Sequence, residues 1–380
     1  MFLDIWQVTA PFLVFLLGLF AVISLSRRFG SKDKRASLLY FWHTTFTFVY
    51  YWFTINVGAD SSVYYAKAIR GNVVFEPGTN FIVYLVSILT NYLHLNMMGC
   101  FLVFNLIGSL GLIILDSIIQ PLVRNQQKSL RVIATLVIFL PSISFWSSGI
   151  GKDGISFLGA VLALWSALEL KKRMGSMSIA ILMMFLVRPH IAGIMIIALA
   201  VSLFFDKKVN IIMKLVLAFV TIGISAFLIP YALNYAGVNA GNSPDDIASY
   251  IESREDVYKN TDSGITLSEL SFPMKLFTYM FRPLIFEARS ITQIFSALDN
   301  LILLYLFIFG GYKIIKTKNL TSLENRKFMW AYAIIAWVIL ALTTGNLGIA
   351  VRQKIMVLPF FLYIFISVMS KNKRFIDHYK

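Results

Sequence analysis

Cysteine is nearly missing from this chain. Cys100 stands alone, which excludes an intramolecular disulfide and any cysteine-built metal site. Charge is scarce too: Asp, Glu, Lys and Arg make up 14% of the residues, against about 25% in a soluble domain. That shortage excludes a soluble globular protein. No P-loop or dinucleotide fingerprint is present, and the acidic residues lack the ligand spacing of an EF-hand loop. No internal repeat is evident, and no polar stretch is long enough to fold alone. The first apolar run, Pro11–Leu25, is followed by Arg27-Arg28 instead of a small-residue cleavage site. It therefore reads as a retained helix and not a signal peptide.

What fills the chain is apolar sequence: 58% hydrophobic residues, 33 of them Phe, with a mean hydropathy of +0.74. The expectation is an all-α, polytopic membrane protein. Residues 1–380 would form a single transmembrane domain, with about 9–12 spanning helices, some re-entrant or broken. The net charge of +15 would suggest nucleic acid in a soluble protein. Here it sits in short loops between apolar runs, where it sets topology, and no nucleic-acid partner is expected. Arg27, Arg28, Lys32, Lys34 and Arg35 mark the first loop as cytoplasmic, which puts the N-terminus outside and, after the later crossings, the basic tail Lys371–Lys380 inside. The loop 57–80 is then external, as is a large loop over 236–290. That loop is acidic, reads as a solvated face or lid, and ends in an amphipathic interfacial segment, Pro273–Arg289. Phe81–Leu95 is too short to span and reads as re-entrant or interfacial, whereas Val132–Trp146 reads as one crossing. His43 reads as a packed helix histidine, and Asp116 as an interfacial residue.

One stretch breaks the apolar pattern most sharply. Arg188-Pro189-His190 lies in the middle of Met177–Phe205. Ionisable groups at membrane depth are costly and face a bundle interior or a watery cavity. Basic residues on both flanks agree only if the run enters and returns as two half-helices broken at Pro189. The alternative is one long kinked helix. Other charged points fall on the same external side. Asp60 precedes the aromatic pair Tyr64-Tyr65, a set that could position a sugar, or else an ordinary loop with Asp60 as helix N-cap. Trp146-Ser147-Ser148-Gly149 leads into Lys152-Asp153, a small-residue turn that admits a ligand closely, or else caps the next helix. Phe281-Arg282-Pro283 is followed by Glu287, and Asn346-Leu347-Gly348 by Arg352. Arginine forks match phosphate oxygens, so several such cations in a dry cleft could hold a pyrophosphate as a leaving group. A histidine or carboxylate beside them could take a proton from an attacking hydroxyl. This equipment suits glycosyl transfer from a lipid diphosphate without any nucleotide.

These motifs, from Pro141…Trp146…Lys152-Asp153 through Arg188-Pro189-His190 and Phe281-Arg282-Pro283…Glu287 to Asn346…Arg352-Gln353, resemble the Wzy-type repeat-unit polymerases of bacterial O-antigen, lipopolysaccharide and capsule synthesis. More broadly they resemble the GT-C superfamily of membrane glycosyltransferases. The resemblance implies a location in the bacterial cytoplasmic (inner) membrane, a donor and an acceptor that are undecaprenyl-diphosphate-linked oligosaccharides, and chemistry on the periplasmic side. It implies pyrophosphate binding by Arg188, Arg282, Arg352 and Lys152, and sugar or lipid contacts at Tyr64, Tyr65, Trp146, Asp153 and Asn346. The base would be His190, Asp60 or Glu287. No cofactor is implied. Some GT-C enzymes hold a divalent metal at an external acidic residue, and Asp60 leaves that alternative open. Partners would be membrane lipid and a chain-length regulator and flippase of the same pathway. Polymerases of this kind carry two large external loops with arginines; here one is large, and it is acidic. A transporter or flippase for an anionic lipid-linked sugar would use a broken helix at Arg188 equally well.

Overall fold

A computed structural model describes residues 2–71, 73–205, 270–316 and 325–370, with a few further positions between 210 and 226. Most of the expected crossing Ile211–Tyr235, most of the loop 236–290 and the tail Lys371–Lys380 lie outside the described residues. Everything described is helix, turn or irregular chain. Among the described residues, five helices are long and apolar enough to cross a membrane, or six if one pair bent by 60° counts as a single span. The chain is thus a multi-pass helical membrane protein. The higher count expected from sequence also took in Ile211–Tyr235, which is mostly outside the described residues, and segments that are short or broken.

The bundle begins with α1 (Phe2–Arg28) and α2 (Asp33–Asn56), joined by a tight turn and therefore antiparallel. A short helix, α3 (Asp60–Arg70), follows α2 almost at once, and α4 (Thr79–Asn91) follows α3. The expected loop 57–80 is thus largely helical. Its sequence explains why: Ser61, Tyr64 and Ala68 fall on one helical face, and all three are buried. Asp60 is the first residue of α3 and not its N-cap, which is Ala59. The long helix α5 (Met97–Val123) then returns beside α1 and α2. Trp6 Nε1 donates to Leu93 O (2.8 Å), and Asn96 Nδ2 donates to Gln7 O (2.7 Å). The starts of α1 and α5 therefore share one end of the bundle, hereafter the upper end. At the lower end Arg35 grips Asp116 with two bonds of 2.6 and 2.7 Å. Asp116, read from sequence as an interfacial residue, is buried and ion-paired.

The expected crossing 132–146 falls within Lys128–Ser147, one of the five spans, but its helix is interrupted. α6 (Lys128–Leu136) and α7 (Pro141–Ser147) are separated at a proline, which cannot continue the helix but suits a new helix's first turn. α7 ends in Ser148-Gly149-Ile150-Gly151, a turn buried inside the protein. From it α8 (Lys152–Leu168) descends, and α9 (Met174–Val187) rises again. Pro189 then opens α10 (Pro189–Phe204), which packs along α9. Asn325 donates from Nδ2 to Ser202 Oγ (3.0 Å) and from its backbone to Ala167 O (3.2 Å), so α10 and α8 end together at the lower side. Met177–Phe205 is therefore a helical hairpin with Arg188 at its apex, and not one long kinked helix.

The last part comprises α11 (Phe272–Phe281), α12 (Ile291–Lys316), α13 (Arg326–Thr343), the short α14 (Leu347–Gln353) and α15 (Leu358–Met369). The expected amphipathic segment Pro273–Arg289 ends as a helix at Phe281. The residue before a proline is driven out of helical geometry, and Arg282 is extended ahead of Pro283. Between α14 and α15 a single 3-10 turn, Lys354–Met356, precedes another helix-opening proline, Pro359. The main apolar core lies between α5, α8, α10, α13 and α15. A second, more aromatic cluster fills the upper end beneath α3 and α4.

Candidate functional site

Asp153 is the pivot of the upper end. It lies in the first turn of α8, where the helix dipole favours an anion, and its side chain is 4% exposed. One carboxylate oxygen accepts from Arg188 Nη2 (2.6 Å) and the other from Arg352 Nε (3.0 Å). Arg188 leaves the apex of the α9–α10 hairpin and also donates from Nε to Ser156 Oγ (3.3 Å). Arg352 leaves α14 and donates from Nη1 to Asp60 Oδ2 (2.9 Å) at the start of α3. The result is a line of alternating charge, Asp60–Arg352–Asp153–Arg188, that joins four segments distant in sequence.

Burial explains the alternation. An unpaired charge taken out of water costs several kcal/mol, on the order of its whole hydration loss, so each charge here is held by an opposite one. Neither guanidinium exhausts its donors on these partners, since each carries several N–H groups. Trp146 lies 5.2 Å under the Arg352 guanidinium, near enough for a cation–π contact. Tyr64 is buried close to both Asp60 and Arg352; burial, and then the nearby Asp60 charge, raise its hydroxyl above the usual tyrosine range. Lys152 Nζ donates to Thr79 Oγ1 (3.2 Å) at the start of α4. Gly78 N donates to Leu186 O (2.8 Å), which ties α4 to the hairpin apex. His190 is half-buried within reach of the charges of Arg188 and Lys152.

The floor of this site is the buried turn after α7. Ser61 Oγ donates to Ile150 O (2.7 Å) from above. A Cβ on Gly149 would collide with the Tyr50 ring, and one on Gly154 would stand 2.6 Å from Ser147 O. Small residues here let the turn pass under the aromatic cluster of Tyr50, Phe145 and Trp146. His43 is fully buried below, bonded through Nδ1 to Asn105 Oδ1 (2.6 Å) and through Nε2 to Ser147 Oγ (2.9 Å). It is a packed, satisfied histidine.

Not every residue expected at the site is there. Arg282 faces Glu287, bonding it through Nη2 and through Nε (3.0 Å). Glu287 also accepts from Leu284 N (2.8 Å). Burial alone would raise the Glu287 carboxyl, but the Arg282 bonds and that backbone donor hold it below the usual range. These two residues form their own local pair, and no bond joins them to Arg188 or Arg352 among the described residues. Tyr65 is split from Tyr64 because neighbours on a helix point about 100° apart; it lies by Cys100 and Tyr51. Asn346 is the N-cap of α14, accepting from Gly348 N (2.6 Å). Among the described residues no three His, Cys, Asp or Glu side chains gather as a metal-binding set. Asp60, the residue considered for a metal, is bonded by Arg352.

The structure also brings forward residues that sequence reading passed over. Ser156 follows Asp153 by three positions, so both lie on one face of α8; that spacing was visible. Two positions after Arg352, Lys354 enters a separate buried cluster. It donates to Asn300 Oδ1, while Asn300 Nδ2 donates to Pro283 O (3.0 Å). Beside it, Asp299 Oδ2 accepts from Ser142 N (2.8 Å), and its other oxygen is buried without a partner among the described residues. A carboxylate in the middle of an apolar run was the available signal.

Comparison with family models, with curated protein sequences and with solved structures finds no match for the chain. What the geometry defines is the class: a multi-pass helical membrane protein with a buried, four-segment ion-pair line at one end.

Proposed function

We propose that the chain is a nucleotide-independent glycosyltransferase that polymerises or transfers undecaprenyl-diphosphate-linked oligosaccharide units at the outer face of the bacterial cytoplasmic membrane. The observation that carries this reading is the meeting of Arg188 and Arg352 on Asp153, with Lys152 and His190 beside them. Asp153 holds the two forks at a fixed separation, and their remaining N–H groups can meet the oxygens of a diphosphate. An acceptor hydroxyl would attack the anomeric carbon of the donor sugar. A new C–O bond forms there, and the bond from that carbon to the diphosphate oxygen breaks. The electron pair leaves with the diphosphate, held by the cations. The hydroxyl proton passes to His190 or Asp60; Glu287 stands apart with Arg282. The GT-C-like fold, the external position of the site and the partners named for the pathway belong to this same proposal.

The reading is tested with purified protein in lipid, given undecaprenyl-diphosphate-linked repeat units, and a gel for ladders. Wild type should give a ladder. Arg352→Ala should slow product formation by about 10²–10³-fold, the effect of losing one charge-stabilising donor, and Arg188→Ala should abolish it. Lys171→Ala, at the opposite end, should change nothing. An unaltered ladder in Arg188→Ala would sink the proposal. A second reading, a transporter or flippase of an anionic lipid-linked sugar, draws support from the α9–α10 hairpin with its cationic apex. Movement of labelled lipid across vesicles without a glycan product would favour it.

A further inference from the structure

Between α3 and α4 an open cleft of about 290 Å³ is lined by Lys67, Arg70, Gly71, Val73, Asn80 and Val83. It lies apart from the ion-pair line. On α3 the face turned into the protein carries Ser61, Tyr64 and Ala68, and the exposed face carries Val63, Lys67 and Arg70. Lys67 and Arg70 have no carboxylate partner among the described residues, unlike Arg188, Arg282 and Arg352. Of the acids on either side in sequence, Asp60 accepts from Arg352 and Glu76 accepts from Asn80 Nδ2 (2.9 Å). Two cations thus share a cleft whose other walls are valine, Gly71 and Asn80.

The surroundings say what such a cleft meets. Val74 and Phe75, at its edge, are 58% and 57% exposed, and Ile69 is exposed beside Arg70. Trp6, Trp52 and Tyr92 are exposed at this same upper end, the girdle expected where a bilayer's headgroups begin. α3 and the connection to α4 thus expose Val63, Ile69, Val74 and Phe75 around the two cations. An amphipathic segment built this way rests at the lipid–water boundary.

We propose that the α3–α4 cleft binds the phosphate headgroup of an anionic membrane phospholipid, with Lys67 and Arg70 on the phosphate and Val73 and Val74 against the glycerol and upper acyl chain. It is a lipid site separate from Arg188 and Arg352 and independent of the transferase reading.

The test is native mass spectrometry of the full chain in detergent, titrated with phosphatidylglycerol or with phosphatidylcholine. Wild type should retain phosphatidylglycerol preferentially. Lys67→Gln/Arg70→Gln should weaken that retention by about 30-fold, the effect of two interfacial cations, and leave phosphatidylcholine adducts unchanged. Lys171→Gln/Lys172→Gln removes the same charge at the other end and should keep the preference. Equal retention of phosphatidylglycerol by wild type and the Lys67/Arg70 variant overturns the site. A further arm adds inorganic phosphate alone. If it raises the thermal midpoint of wild type but not of the variant, and phosphatidylglycerol does neither, the ligand is a soluble phosphate and the lipid assignment fails.

Discussion

Asp153 shows how a single residue can be read two ways until its neighbours are known. In the sequence it is a helix-capping acid after a glycine turn or a ligand contact; in the fold it is the shared anion of two arginines. Removing it leaves Arg188 buried without a carboxylate and Arg352 with Asp60 alone. Asp153→Asn should destabilise the protein by about 3–5 kcal/mol, the usual effect of breaking a buried pair. The measurement is thermal unfolding in detergent. Asp153→Leu combined with Arg188→Met should cost less than Asp153→Asn, because it removes a charge of each sign. An additive sum of the single effects would show that the two side chains do not interact. The singular residues Arg188, Arg352, Asp60 and Lys152 were legible in the sequence because charge within or beside an apolar run is conspicuous. Their partners were not, since which carboxylate meets which arginine depends on pairing segments as far apart as 292 positions. Arg282 shows the limit: it has the same chemistry and the same neighbouring proline as Arg188, yet it closes on Glu287 five residues away.

At the scale of elements, prolines were the most informative letters. Pro141, Pro189, Pro273 and Pro359 each open a helix, and Pro283 ends one ahead of it. The hairpin α9–α10 was legible because basic flanks on both sides required a return. α3 was missed because polar residues alternate with small and aromatic ones there, and the buried face shows only as the spacing of Ser61, Tyr64 and Ala68. The buried turn after α7 depends on its glycines for close approach. Gly149→Ala should destabilise by about 1–3 kcal/mol through overpacking against Tyr50, and Tyr50→Leu in the same chain should recover part of the loss. The measurement is again the unfolding midpoint, with retention of activity in the double variant as a second readout. A neutral Gly149→Ala would show that the aromatic cluster yields more easily than its packing suggests.

Over the whole molecule, the ends of the bundle differ in kind. The lower end carries Arg27, Arg35, Lys171 and Lys172 near the helix termini, and the upper end carries exposed Trp and Tyr with the paired charges inside. The positive-inside rule predicts that the lower end faces the cytoplasm. Tyr92→Cys should label from outside intact cells, and Lys32→Cys only after the inner membrane is breached. The native Cys100 is buried and should stay silent in both. Labels of the reverse pattern would invert the orientation. The line Asp60–Arg352–Asp153–Arg188 also has a consequence for biogenesis. Asp60 and Arg352 are separated by 292 residues, so at about 5–20 residues per second the ribosome needs roughly 15–60 s to supply the cation after the anion. Through that interval the nascent chain carries an acid with no counter-charge at the bilayer edge, and Asp153 waits for its second arginine. A chain without Arg352 would leave Asp60 lacking its arginine and Asp153 with Arg188 alone.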